Sequence, residues 1–181
     1  MRKSLIALAI GCAVGAGALT SVRAADDASA KKQGGMQCCP MDPKAAASLE
    51  KLKALTGTWT SKEQGGPTMV FRPTSNGTAV IETMMPGSAE EMINMFTADG
   101  DTIVMTHYCA MGNQPRMKLA STDGSAMKFE FTGGGNIKSR NDMHMDGVTF
   151  TLDGDKLTED WSSYADGKVL DHKVFELHRQ K

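Results

Sequence analysis

The stretch from Thr106 to Met117, THYCAMGNQPRM, gathers an imidazole, a thiol, two side-chain amides and a guanidinium within twelve residues. Ile103, Met105, His107, Cys109 and Met111 recur at every second position, which in an extended strand puts all five on one face. Gly112, Asn113, Gln114 and Pro115 then supply turn chemistry and amide donors, and Arg116 adds a cation. A small ligand with an apolar body and a polar or anionic end would suit such a lining, with His107, Cys109, Asn113, Arg116 and His144 as its candidate contacts.

His144 enters by counting. Val148, Phe150 and Leu152 are apolar at alternate positions, and stepping back by two puts Asp146 and His144 on the same side. His107, Cys109 and His144 would then form a three-ligand site for copper or zinc, because imidazole and thiolate suit those metals. A second metal candidate lies upstream in Met36-Gln37-Cys38-Cys39-Pro40-Met41, where two thiols stand between two thioethers. The plainer alternatives are half-buried histidines at a barrel mouth and an oxidised or intermolecular cysteine pair in a tail. The chain has fourteen methionines, several beside His or Cys. Met69, Met84, Met95, Met117 and Met127 sit where strands need apolar fill, so core and cavity lining is the favoured role for the strand methionines.

Catalysis is a third class. Cys109 and His107 could pair as thiolate and imidazolium with Asn113 orienting them, yet same-strand neighbours two apart stand about 7 Å from each other. No nucleophile elbow, phosphate loop or paired-carboxylate motif accompanies them, which weighs against an enzyme.

The elements that must position these groups are mostly strands. Asp42-Pro43 reads as a helix N-cap and first position, with a helix to about Leu55 burying Leu49, Leu52 and Leu55. From Thr58 the period becomes two, and Asn76-Gly77, Asp99-Gly100, Asp123-Gly124, Asp153-Gly154 and Asp166-Gly167 punctuate β-prone runs as hairpin turns. Ser88 to Glu91 has capping-box spacing and suggests one further helical turn. Eight to ten consecutive antiparallel strands favour an all-β, up-and-down barrel over residues 58–179, whose closure removes exposed edges.

Arg2 and Lys3, the apolar run from Leu5 to Leu19 and Val22-Arg23-Ala24 follow the pattern of a secretory signal, with cleavage expected after Ala24. Cys12 faintly fits a lipoprotein acylation site. Residues 25–41 read as a disordered leader and 42–181 as the helix-plus-barrel domain. Loss of residues 1–24 takes three cations and no acid, so the net charge falls from −1 to −4 and argues against nucleic acid as a partner. The expected product is periplasmic or secreted, without a membrane span, and its three cysteines are an odd number in an oxidising compartment.

Gly57-Thr58-Trp59 at the first strand, together with Arg179 at the end of the last, resembles the signature of lipocalins and the wider calycin barrels. The region from about Leu49 to Arg179 also resembles an uncharacterised family of bacterial exported proteins, through His107-Tyr108-Cys109, the run Gly112 to Met117, Met84, Pro86-Gly87, Glu91-Met92, Trp161 and Gly167-Lys168. The calycin resemblance implies a calycin-like barrel that binds a small, apolar or amphipathic molecule, with Trp59 buried near the closed end against Arg179; the residues of the 106–117 hairpin place that hairpin at the mouth. Haem-binding barrels of the nitrobindin-like group offer one more comparison, in which His107 or His144 would ligate iron.

Overall fold

The computed structural model describes residues 39–181. The expected signal segment, Cys12, Cys38 and most of the expected leader lie outside them; Cys39 is an exposed free thiol. A single α-helix, α1 (Pro43–Lys53), begins where Asp42 accepts a hydrogen bond from the Lys44 amide and Pro43 fills the first turn. Ten strands follow: β1 (Gly57–Thr60), β2 (Thr68–Thr74), β3 (Ala79–Met84), β4 (Met92–Asp99), β5 (Thr102–Tyr108), β6 (Gln114–Asp123), β7 (Ala126–Gly135), β8 (His144–Asp153), β9 (Lys156–Ala165) and β10 (Lys168–Arg179). Each pairs antiparallel with its neighbours in sequence, and β1 closes on β10, giving the expected up-and-down barrel.

All five Gly dipeptides fall at hairpin turns, with positive φ at Gly77, Gly100, Gly124, Gly154 and Gly167. The Ser88 to Glu91 segment forms no helix. Met84 pairs with Met92, so residues 85–91 must return the chain at once, and Ser88 and Glu91 instead accept turn hydrogen bonds from Glu90 N and Gly87 N.

The two ends differ. At one end α1 buries Ala45, Leu49 and Leu52, and Leu55 follows it into the core. Lys44 and Lys51 tie α1 to the turns at Asp101 and Gly124. There Trp59 is fully buried, its indole donates to Leu55 O, and the Arg179 guanidinium lies 4.1 Å over its ring. Arg179 also donates to Thr56 O and Ala54 O, the orphan carbonyls just after the helix. Gly57 makes this approach possible, since a Cβ there would stand 3.3 Å from the Arg179 fork. Above this plug Phe71, Phe96, Phe129 and Phe150 pack edge to face. The other end carries the longer connections, 61–67, 85–91, 109–113 and 136–143, and is open. No helix among the described residues is long and apolar enough to cross a membrane.

Candidate functional site

Strand parity carries Ile103, Met105 and His107 inward, all of them buried. Tyr108 ends β5; Cys109 and Met111 then lie in the turn closed by Cys109 N to Asn113 O and Gly112 N to Cys109 O. His107, Cys109 and Met111 line a cavity of about 340 Å³ at the open end. Its wall is mostly apolar atoms, including five methionines (Met84, Met92, Met111, Met143 and Met145), Trp161 and Phe175, with Asp171 and Lys173 as charges of opposite sign on β10.

The floor is polar and fully enclosed. Asn94, paired with His107 across β4 and β5, accepts from the imidazole at Nδ1 (2.7 Å) and donates to Glu82 Oε2 (2.7 Å). Because the Asn94 amide nitrogen is committed to Glu82, its oxygen must receive the His107 proton, which puts hydrogen on Nδ1 and leaves the Nε2 lone pair free. Burial holds the His107 imidazole down at about 4, so the ring is neutral near pH 7. Its ring stacks at a tilt on Trp161, 4.9 Å between centroids.

Glu82 and Glu159 complete the floor, both with no exposed surface. Trp161 Nε1 donates to Glu159 Oε2, and the Oε1 atoms of both acids have no other donor. The charge of Glu159 acts on Glu82, and a proton held between the two carboxyls would satisfy both unpartnered Oε1 atoms. Burial first, and then repulsion from Glu159, raises Glu82 well above the usual carboxylate range; burial pushes Glu159 up to about 7. Glu82 is therefore the proton holder at neutral pH.

His144 does not join His107. The β8–β9 register shifts between Met145 and Gly147, so Asp146 is a bulge that reverses the parity counted back from Val148. Met145, opposite Ser163, lines the cavity; His144, opposite Tyr164, does not, and is buried against Phe131 at 4.1 Å between ring centroids. Its Nδ1 donates to Asp142 O and its Nε2 accepts from Arg140, so neither nitrogen retains a lone pair for a metal. Arg140 is held in turn by the Tyr164 ring and by Asp146 at 2.7 Å. Arg116 also departs from the expected rim. It pairs with Thr106, on the outer face next to the inward pair Met105 and Met117, and lines an external groove with Tyr108 and Gln114. Asn113 is not among the cavity-lining residues; its Nδ2 donates to Met143 O at 2.7 Å and clasps the 109–113 turn to the 136–143 connection. Among the described residues no group of three or more His, Cys, Asp or Glu is placed to hold a metal ion.

Glu82, Asn94 and Glu159 escaped the sequence reading, although their signal was there. Val80-x-Glu82-x-Met84 and Leu157-x-Glu159-x-Trp161 each put an acid at an inward position of a period-two run. Fold and site together define a closed antiparallel barrel, plugged at one end by a helix and open at the other into an apolar cavity over a buried acid–amide–imidazole chain. Compared with protein-family models and with curated proteins, the chain matches none.

Proposed function

We propose that this protein is an exported, calycin-like barrel that takes a small apolar or amphipathic molecule into the cavity at its open end. The observation that carries this reading is the one-ended cavity itself. Its volume, about 340 Å³, lies at the lower end of the roughly 300–1,000 Å³ typical of small-molecule sites. Thioethers and one indole give it a deformable apolar wall, while the free His107 Nε2 offers a single acceptor near the floor. The Gly57-Thr58-Trp59 signature with Arg179 supports the calycin likeness, and the arrangement of Arg2, Lys3, the apolar run and Ala24 supports export to the periplasm or beyond.

The test is displacement of an apolar naphthylamine fluorophore. One probe per chain should bind saturably, and long-chain acids or alcohols should compete. Met145→Glu puts a charge on the cavity wall and should abolish probe binding, while Arg116→Ala on the outer face should leave it unchanged. Equal probe binding by parent and Met145→Glu, each folded by circular dichroism, would sink the reading. N-terminal sequencing of protein from the cell envelope should begin at Ala25.

A further inference from the structure

The cavity concentrates sulfur around one free nitrogen lone pair. Glu82, Asn94 and His107 form one inward row across β3, β4 and β5. Met84 and Met92, paired with each other, form the row above, and Cys109 follows Tyr108 just as Met92 precedes Ile93, its partner. Asn94 touches both rows, since its amide nitrogen also reaches Met84 Sδ at 3.5 Å while its oxygen holds the imidazole. The Cys109 thiol is free and partly exposed. His107 is 2 % exposed and lines the cavity, and no hydrogen-bond partner among the described residues stands at its Nε2.

We propose that this cluster binds one Cu(I) ion through His107 Nε2, Cys109 Sγ and the thioethers of Met84 and Met92. Soft thiolate and thioether donors select Cu(I), and Met84 and Met92 beside Cys109 and His107 supply thioethers, which are not among the nitrogen, thiolate and carboxylate ligands that Zn(II) favours. Metal-binding imidazoles commonly donate their second N–H to a carbonyl or carboxylate, and Asn94, backed by Glu82, supplies that contact here. Asp171 and Lys173 offset each other at the rim. On binding, Cys109 releases its thiol proton to solvent as Sγ takes the metal, and copper stays in the +1 state throughout.

The inference does not rest on the apolar-ligand reading, and the two fail separately. The experiment uses the purified chain with Cys12, Cys38 and Cys39 changed to Ser, titrated with Cu(I) against the chromophoric chelator bicinchoninate under reducing, anaerobic conditions. One Cu(I) per chain should leave the chelator, and X-ray absorption should show mixed sulfur and nitrogen neighbours. Cys109→Ser, and separately the volume-conserving pair Met84→Leu with Met92→Leu, should each weaken uptake at least tenfold. The methionine pair should still bind the naphthylamine probe, since its cavity stays apolar. Failure of the Cys12/Cys38/Cys39 variant to take Cu(I) from the chelator, or uptake unchanged by Cys109→Ser, would overturn the proposal. Because Cys109 lies in a turn at the rim, its serine variant keeps the test open even if the methionine pair fails to fold.

Discussion

Glu159 is a carboxyl whose proton affinity is raised by folding, and the sign of its contribution follows. Below about 4.5 both folded and unfolded chains carry the proton, so the group is neutral to stability. As pH climbs towards 7 the unfolded chain has released its proton and the folded chain has not, and stability is lost at up to about 1.4 kcal/mol per pH unit, roughly 3 kcal/mol in all. Glu159→Gln keeps a partner for Glu82 and for the Trp161 indole region without that titration. Its stability relative to the parent should improve steadily from pH 4.5 to 7, read by urea denaturation; a constant difference would mean that folding does not raise the proton affinity of Glu159. His107 works the other way. Its affinity is depressed by burial, so it supports the fold above about 6.5 and loses that support as pH falls towards 4. His107 was legible in the sequence because Ile103 and Met105 announce the inward face without interruption. The acid pair was hidden by a chemical prior, since burial of two carboxyls is tolerated only when each finds a proton or donor, and those partners come from other strands.

At the scale of elements, period two and Gly-containing turns specified the strands, their order and the helix start, because each is a local property of the chain. The bulge at Asp146 was not legible, since one extra residue in β8 leaves hydrophobic alternation on either side intact while exchanging faces between them. Gly147 follows that bulge in close contact with β7, where a Cβ would meet Phe129 O at 2.9 Å. Gly147→Ala must therefore push the two backbones apart and should cost about 1–3 kcal/mol in urea denaturation. Free accommodation, with no change in the midpoint, would show that β8 can shift at this point. Barrel closure depends on a shorter contact still. β1 and β10 pair through Trp59 with Arg179 and Thr60 with His178, extended by Gln180 N donating to Thr58 O. The stacked guanidinium and its bonds to Thr56 O and Ala54 O reinforce that seam, so Arg179→Met should lower stability by about 2–3 kcal/mol. Arg179→Lys should recover little of it, because an ammonium cannot cover the indole and span both carbonyls at once.

For the whole molecule, the consequence of a plugged and an open end is that its two tryptophans report on different places. Trp59 is fully buried, held by Leu55 O and Arg179, and is not among the residues that line the cavity. Trp161 forms part of the cavity wall and stacks on His107 over the acid pair. Anything that enters the mouth, an apolar molecule or a soft cation, changes the surroundings of Trp161 and leaves those of Trp59 alone. Titration with either should therefore alter the emission of the parent and of Trp59→Phe, and lose most of its effect in Trp161→Phe. The distinction holds only if occupancy stays local. Were the response to persist in Trp161→Phe, entry at the mouth would be moving the plug as well, through the packed core that includes Phe71, Phe96, Phe129 and Phe150. Close-packed aromatic layers resist such graded deformation, so the expected outcome is a signal confined to Trp161.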